Sequence, residues 1–167
     1  YHPIDFSYTD EDKRKIQRIY AAYESSKKNG NKWPDEMLFR KLSKVRKKAE
    51  AKPSLLDEFL NKNKKLIKSS IFFVEDTDHG NEIAKIVSKY TKSYTTFYQG
   101  SPDKFIELLE KNEIDSVIAC ERLNEGVDIK SLKNIFLVAT PRAKLTTIQR
   151  IGRCLRIDPN NKTKKSN

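Results

Sequence analysis

Residues 71–74 read Ile-Phe-Phe-Val, and this short stretch indicates the fold class. Four consecutive apolar residues predict a strand that is buried on both faces, as in a parallel sheet covered by helices. Residues 116–119 and 134–139 show similar apolar runs, and residues 94–98 supply a further strand. Segments with helical spacing of apolar residues lie between these runs. The alternation predicts an α/β domain with a three-layer parallel sheet.

Two helices are predicted between the first three strands. Asp78 is expected to cap the first of them, and a turn at residues 100–102 is expected to lead into the second. Their buried faces are predicted to comprise Ile83, Ile86, Val87 and Tyr90 in the first helix, and Phe105, Leu108 and Leu109 in the second. Ligands of such sheets bind at the carboxyl ends of the strands, so the residues that follow the strands are the candidates for function.

The N-terminal third of the chain has a different pattern. Apolar and polar residues alternate over residues 3–8, which predicts a short strand. Thr9 is expected to cap a helix that ends at residues 29–30, and a second helix is expected to begin near Asp35. Pro53 and Ser54 are expected to end the second helix and to cap a third.

Positive charge is concentrated in this N-terminal third. The 167-residue chain carries a net charge of +11. Residues 1–68 hold 18 basic and 10 acidic side chains, whereas residues 69–156 hold 13 and 12. A basic surface attracts a polyanion, which favours nucleic acid as a partner, although lysine-rich helices are often simply solvated. We predict a strand and basic helical lead-in over residues 1–68, an α/β domain over 69–156 and a flexible, truncated tail over 157–167.

Composition excludes several classes of protein. No apolar run approaches the ~20 residues of a membrane span, and no signal-like segment opens the chain. Cys120 and Cys154 have no second thiol nearby in sequence, so we expect both to be reduced and the protein to be cytoplasmic, or nuclear in a eukaryote. His2 and His79 are too isolated to predict a metal site. The chain begins at Tyr1 without methionine, which indicates a piece of a longer protein.

Residues 149–156 combine paired arginines with a glycine. Helical spacing places Gln149, Gly152, Arg153 and Arg156 on one face. The two arginines repel each other, so an anion that both grip would explain the pair. A phosphate suits the planar guanidinium fork better than most anions do. For these residues taken alone, an amphipathic helix with solvated arginines is the alternative.

Residues 120–128 read Cys-Glu-Arg-Leu-Asn-Glu-Gly-Val-Asp and directly follow a predicted buried strand. Gly126 permits close approach of the backbone to a phosphate or sugar, and Asp128 can accept hydrogen bonds from ribose hydroxyls. By itself this pattern is a weak signal, and a plain turn is the alternative. Its position ahead of residues 149–156, with a strand between, makes it more specific.

Residues 70–156 resemble the second RecA-like domain of superfamily 2 helicases and translocases. Residues 71–76 are similar to motif IV of that family, 119–129 to motif V and 149–156 to motif VI. The stretch Glu-Gly-Val-Asp-Ile at 125–129 and the glutamine of motif VI resemble excision-repair and restriction-enzyme helicases more than DEAD-box RNA helicases. Residues 98–100, Tyr-Gln-Gly, also resemble the family.

The resemblance implies roles at the nucleotide. Arg153 and Arg156 would act as arginine fingers on the γ-phosphate of ATP bound to a partner domain. Such a finger is worth roughly 10³–10⁵ in rate in the best-studied systems. Gln149, Gly126 and Asp128 would bind near the same nucleotide.

The resemblance also implies contacts with nucleic acid at Gly100, Cys120 and Arg122. Cys120 departs from the family pattern, because many relatives have a threonine or serine there whose hydroxyl binds a phosphate. The chain lacks a Gly-x-x-x-x-Gly-Lys-Ser/Thr loop and a magnesium-binding Asp-Glu pair. ATP and Mg²⁺ would therefore be bound mainly by an N-terminal RecA-like domain of the same parent chain.

The function implied is that of the C-terminal motor domain of an ATP-dependent DNA helicase or translocase, inactive as an isolated fragment. DNA is preferred to RNA, and a nuclease or methylation subunit is a further partner by analogy with restriction systems. A stand-alone nucleic-acid-binding module is the alternative from another class. A metabolic nucleotide-binding domain fits poorly, since no Gly-x-Gly-x-x-Gly follows any predicted strand.

Overall fold

The computed structural model describes residues 3–98, 104–120 and 131–139. The chain divides between Lys62 and Asn63 into two units, which we call the helical unit and the sheet unit. The helical unit contains three helices, α1 (Asp10–Lys28), α2 (Asp35–Lys47) and α3 (Ala51–Lys62).

Helix α1 begins and ends as the sequence predicts. The Thr9 hydroxyl accepts the Asp12 backbone N–H at 3.1 Å, and the Asp12 carboxylate accepts the Thr9 N–H at 3.4 Å. This reciprocal capping box satisfies two N–H groups that the first turn leaves unpaired. Asn29 ends the helix, and Gly30 follows in the left-handed region with φ +73°. The start of α2 at Asp35 is also confirmed.

Asp12 also links the start of α1 to the start of α3. Its carboxylate is buried and accepts the Glu50 backbone N–H at 3.1 Å. The Glu50 carboxylate in turn accepts hydrogen bonds from Lys15 Nζ at 2.6 Å and from the Thr9 hydroxyl at 3.0 Å. These two bonds, that from Lys15 first, lower the pKa of the Glu50 carboxyl. The helical unit is therefore held by polar bonds at the helix entrances as well as by apolar packing.

The predicted strand at residues 3–8 is wrong. The rings of Phe6 and Tyr8 meet edge to face with centroids 5.3 Å apart. Lys52 Nζ lies 5.2 Å from the Phe6 ring centroid, and Arg46 Nε donates to the Tyr8 hydroxyl at 3.3 Å. Alternation shows only that one side of a segment is apolar. Here Phe6 and Tyr8 contact side chains of α3 and α2, and no strand among the described residues pairs with this segment.

The predicted start of α3 is also wrong. The helix begins at Ala51, so Pro53 lies within its first turn and Ser54 does not cap it. A first-turn residue has no intrahelical partner for its N–H, which is why proline is tolerated there. The break after α2 falls instead at residues 48–50.

The described residues of the sheet unit form four parallel strands, which confirms the predicted fold class. The strands are β1 (Ser70–Phe73), β2 (Tyr94–Phe97), β3 (Ser116–Ala119) and β4 (Asn134–Leu137). A short 3₁₀ helix, Lys64–Ile67, precedes them, and the strand order is β2-β3-β1-β4. In register, Phe72 pairs with Ile118 on one side and with Phe136 on the other.

Helices cover both faces of this sheet. Helix α4 (Thr77–Val87) connects β1 to β2, and α5 (Lys104–Glu110) connects β2 to β3 in the opposite direction along the sheet. Right-handed crossovers in opposite directions place their helices on opposite faces. Phe105 and Leu109 of α5 belong to a buried cluster with Ile71 and Val117. Because successive strand residues point to opposite faces, Phe72 points to the other face.

Asp76, and not Asp78, caps α4. The Asp76 side chain accepts the His79 backbone N–H at 3.0 Å, whereas Asp78 is exposed in the first turn. Both acidic residues fit the sequence pattern of a cap. The capping position falls to Asp76 because the chain turns into the helix only three residues after β1 ends.

We expect Phe72→Ala to lower the free energy of unfolding of the sheet unit by about 3–5 kcal/mol, because it leaves a cavity in a packed core. Phe72 is fully buried and stacks on Phe136 with ring centroids 4.4 Å apart. Urea unfolding followed by circular dichroism measures the loss. Phe39→Ala is the control, since Phe39 is 65% exposed. Similar losses for the two variants would contradict the packing described.

Candidate functional site

The described strands end along one edge of the sheet. Tyr98 follows β2, Cys120 follows β3 and Val74 follows β1, so parallel pairing brings all three to the same edge. Hydrogen bonds continue past the strands, from Val74 N–H to the Ala119 carbonyl at 2.9 Å and from Cys120 N–H to the Phe97 carbonyl at 3.3 Å. The backbone at this edge is therefore tied across strands.

The connections create a topological switch point between β1 and β3. From β1 the chain runs to β2, and from β3 it runs to β4 on the opposite side. Ligands of open α/β sheets bind where neighbouring strands diverge in this way. The topology therefore directs a ligand site to the carboxyl ends of β1 and β3, next to Glu75, Asp76 and Cys120.

Cys120 is the one predicted site residue within the described residues. It follows β3 directly, the residue is 5% exposed, and its sulfur forms no disulfide with any residue that the structure describes. Its position at the strand end agrees with the sequence analysis. Its contact with nucleic acid stays a prediction.

The other predicted site residues lie outside the described residues. The same holds for Cys154 and for the predicted tail at residues 157–167. The roles proposed for these site residues stay predictions. The site residues concerned are Arg153, Arg156, Gln149, Gly126, Asp128, Gly100 and Arg122.

The turn after β1 is held by bonds to its own backbone. Asp76 accepts the His79 N–H through its carboxylate and the Gly80 N–H through its carbonyl, at 3.0 and 2.8 Å. His79 is buried, and its Nδ1 accepts the Glu75 N–H at 3.3 Å. A helix N-terminus attracts anions, and at α4 a carboxylate of the chain itself occupies it. This turn is therefore not built to receive a phosphate.

Tyr98 packs on α4 through a glycine. A Cβ atom added to Gly80 would lie 2.8 Å from the Cε1 and Cζ atoms of the Tyr98 ring. The Tyr98 hydroxyl donates to Asn81 Oδ1 at 3.3 Å. Burial, followed by the nearby Cys120 and Tyr94, raises the pKa of Tyr98. The sequence analysis did not identify this contact, although an isolated glycine inside a helical pattern is a signal of close packing.

Within residues 3–98, 104–120 and 131–139, His, Cys, Asp and Glu side chains do not gather in threes to hold a metal ion. Within the same ranges, no helix combines the length and the apolar character that a bilayer crossing needs.

The comparisons with known proteins give the class. Residues 51–158 match the model of the helicase conserved C-terminal domain, so the chain belongs to that family. The structure is similar to the crystal structure of the Pyrococcus furiosus Hef helicase domain, with a TM-score of 0.50 and 17% sequence identity. The alignment covers 84% of this chain and 32% of that one. The comparison with curated proteins gave no match.

These findings confirm a helicase C-terminal domain with a RecA-like α/β fold. At 17% identity, the likeness to the Hef domain concerns the fold alone. The finer resemblance to excision-repair and restriction-enzyme helicases stays a prediction. The chain spans about a third of the length of the Hef helicase domain.

We expect Gly80→Ala to lower the free energy of unfolding by about 1–3 kcal/mol, because the new methyl group must displace the Tyr98 ring. In a Tyr98→Ala background the same substitution should be neutral or stabilising, since alanine favours a helix over glycine by about 1 kcal/mol. Urea unfolding of the four proteins of this cycle measures the coupling between the two sites. Equal effects of Gly80→Ala in both backgrounds would contradict the contact.

Proposed function

We propose that this chain is the C-terminal motor domain of an ATP-dependent DNA helicase or translocase. The observation that carries the proposal is the family match over residues 51–158. That span includes the two segments whose residues suit phosphate chemistry, 119–129 and 149–156. The parallel sheet supports the proposal, since its switch point lies at the carboxyl end of β3, which residues 121–128 follow in sequence.

In this proposal, Arg153 and Arg156 reach the γ-phosphate of ATP held by the N-terminal RecA-like domain of the same parent chain. Their guanidinium groups offset the negative charge on the transferring phosphoryl group in the transition state. Gln149 lies by the same cleft. Gly126 allows the backbone to approach the nucleotide, and Asp128 accepts hydrogen bonds from its ribose.

ATP and Mg²⁺ are bound mainly by that N-terminal domain. The sequence has no phosphate-binding loop of its own, and Asp76 already occupies the N-terminus of α4. This chain therefore completes a nucleotide site that another domain begins. Closure and opening of the two domains during ATP hydrolysis then move the protein along the polymer.

Nucleic acid is contacted at Gly100, Cys120 and Arg122. The Cys120 thiol is buried and its N–H already donates to the Phe97 carbonyl, so contact with phosphate falls mainly to Arg122. The polymer is DNA in preference to RNA, with a restriction or repair role in the cytoplasm or nucleus. A nuclease or methylation subunit is a further proposed partner.

We expect Arg153→Ala and Arg156→Ala, made in the complete parent protein, to lower ATP turnover by roughly 10³-fold or more while DNA binding is retained. Steady-state phosphate release and fluorescence anisotropy measure the two properties. Arg14→Ala is the control, because Arg14 is an exposed arginine of α1 with a side chain 67% accessible. Unchanged turnover, or loss of binding alone, would favour a nucleic-acid-binding module without nucleotide chemistry.

The purified chain alone should not hydrolyse ATP, because the groups that hold the β- and γ-phosphates and Mg²⁺ belong to the other domain. Phosphate release in the presence of ATP, Mg²⁺ and single-stranded DNA measures this, with the parent protein as the positive control. Turnover by the chain alone would contradict the proposed division of labour. Tight ATP binding without turnover would favour a nucleotide-binding domain of metabolic type.

A further inference from the structure

The second half of α2 and the residues that follow it form a strongly basic segment. Residues 40–48 contain six basic side chains and no acidic one. The acidic residues of α2, Asp35 and Glu36, are confined to its first turn, and Asp35 is engaged by the Tyr23 hydroxyl and by Lys32. Like charges three or four residues apart on a helix repel each other. A polyanion bound outside the helix would relieve that repulsion.

Several cations of helix α1 are paired with carboxylates of the same helix. On α1, Lys13, Arg14 and Lys27 each form an ion pair with an acidic residue three positions earlier. Arg40 and Lys44 on α2 are exposed, and neither forms an ion pair with any residue that the structure describes. This holds for Arg40 even though Glu36 precedes it by one turn. The cations of α1 are therefore largely neutralised within the unit, whereas these two face solvent.

Arg40 and Lys44 lie one helical turn apart on the outer side of α2. Their separation along the helix axis is about 6 Å, and they differ by about 40° around it. The opposite side carries Leu38, which is buried, and Val45, which is half-buried. The helix dipole favours cations in the last turn, but Arg40 lies about two turns before the end of α2. A row of cations at this spacing suits successive phosphates of one nucleic-acid strand.

Phe39 directly precedes Arg40 in the chain, lies about 100° around the helix from it, and is 65% exposed. An exposed aromatic ring next to cations is the combination that proteins use to bind unpaired bases, by stacking, together with their phosphates. The ring of Trp33 is half-buried, and Lys41 Nζ lies 5.0 Å from its centroid. Phe39 is the aromatic residue of α2, and its ring is open to solvent. Stacking requires an unpaired base, which favours a single strand over a duplex.

We propose that Phe39, Arg40 and Lys44 form a binding surface for single-stranded nucleic acid on the helical unit. The two cations contact successive phosphates, and the Phe39 ring stacks on a base. This surface is distinct in sequence from the proposed contacts at residues 100, 120 and 122, and it does not depend on nucleotide hydrolysis.

The test is binding of fluorescently labelled oligothymidine to the complete 167-residue chain over a range of salt concentrations. Each single-strand phosphate contact contributes about 0.7 to the slope of log affinity against log salt. The double variant Arg40→Gln/Lys44→Gln should therefore reduce the slope by about 1.4. Phe39→Ala should lower the affinity about fivefold or more and leave the slope unchanged, because stacking releases no counterions.

The matched control is Lys13→Gln/Arg14→Gln, which removes the same two charges from exposed positions of the same unit. The side chains of Lys13 and Arg14 are 60% and 67% accessible, and both are already paired with carboxylates. This control should leave the slope nearly unchanged. Equal reductions for the two double variants would overturn the proposal, since they would show only the general attraction of a basic protein.

Two further readouts complete the test. Circular dichroism melting should show that all variants fold, as expected for exposed positions. Duplex DNA bound as tightly as oligothymidine, together with full affinity of Phe39→Ala, would overturn the assignment to a single strand.

In the parent protein, Arg40→Gln/Lys44→Gln should leave ATP turnover without nucleic acid unchanged. An unchanged oligothymidine affinity would therefore contradict this binding surface alone, whereas an unchanged ATP turnover of Arg153→Ala and Arg156→Ala would contradict the proposed arginine fingers.

Discussion

Burial of β1 between two parallel neighbours is the constraint on which the sheet unit depends. All residues of β1 and β3 are buried, so their backbone groups must find partners within the sheet. Pairing of β1 with β3 and β4 meets that need and aligns the strand ends along one edge. Helices on both faces then exclude water from apolar residues such as Phe72 and Val117. Burial of the strands therefore determines where their carboxyl ends lie.

The same constraint bears on function. Because β1 and β3 are neighbours whose connections run to opposite sides, the carboxyl end of β3, at Cys120, lies at the switch point of the sheet. The turn after β1 is closed by Asp76 and His79, which leaves no unoccupied helix N-terminus there for a phosphate. Tyr98, which follows β2, packs against α4 at Gly80. The described strand ends are thus tied to one another by backbone hydrogen bonds and to α4 by packing.

The helical unit shows that charge in a sequence has more than one use. Asp12, Lys15 and Glu50 join the entrances of α1 and α3, where their bonds organise the unit. The cations at residues 40 and 44 lie on an exposed face without carboxylate partners among the described residues. Net charge alone could not separate these roles, because the difference depends on which carboxylates lie within reach in space.

Local patterns were enough to predict the strands around Ile71 and Val117, the cap at Thr9 and the α/β class, because periodicity and capping depend on residues close in sequence. The motif residues were also named from sequence, and of these the structure places Cys120. The errors at residues 3–8, Pro53 and Asp78 arose where several local patterns were equally allowed. Strand order, register and the contact of Tyr98 with Gly80 came only from the folded chain, since they join residues far apart in sequence whose pairing is settled by burial.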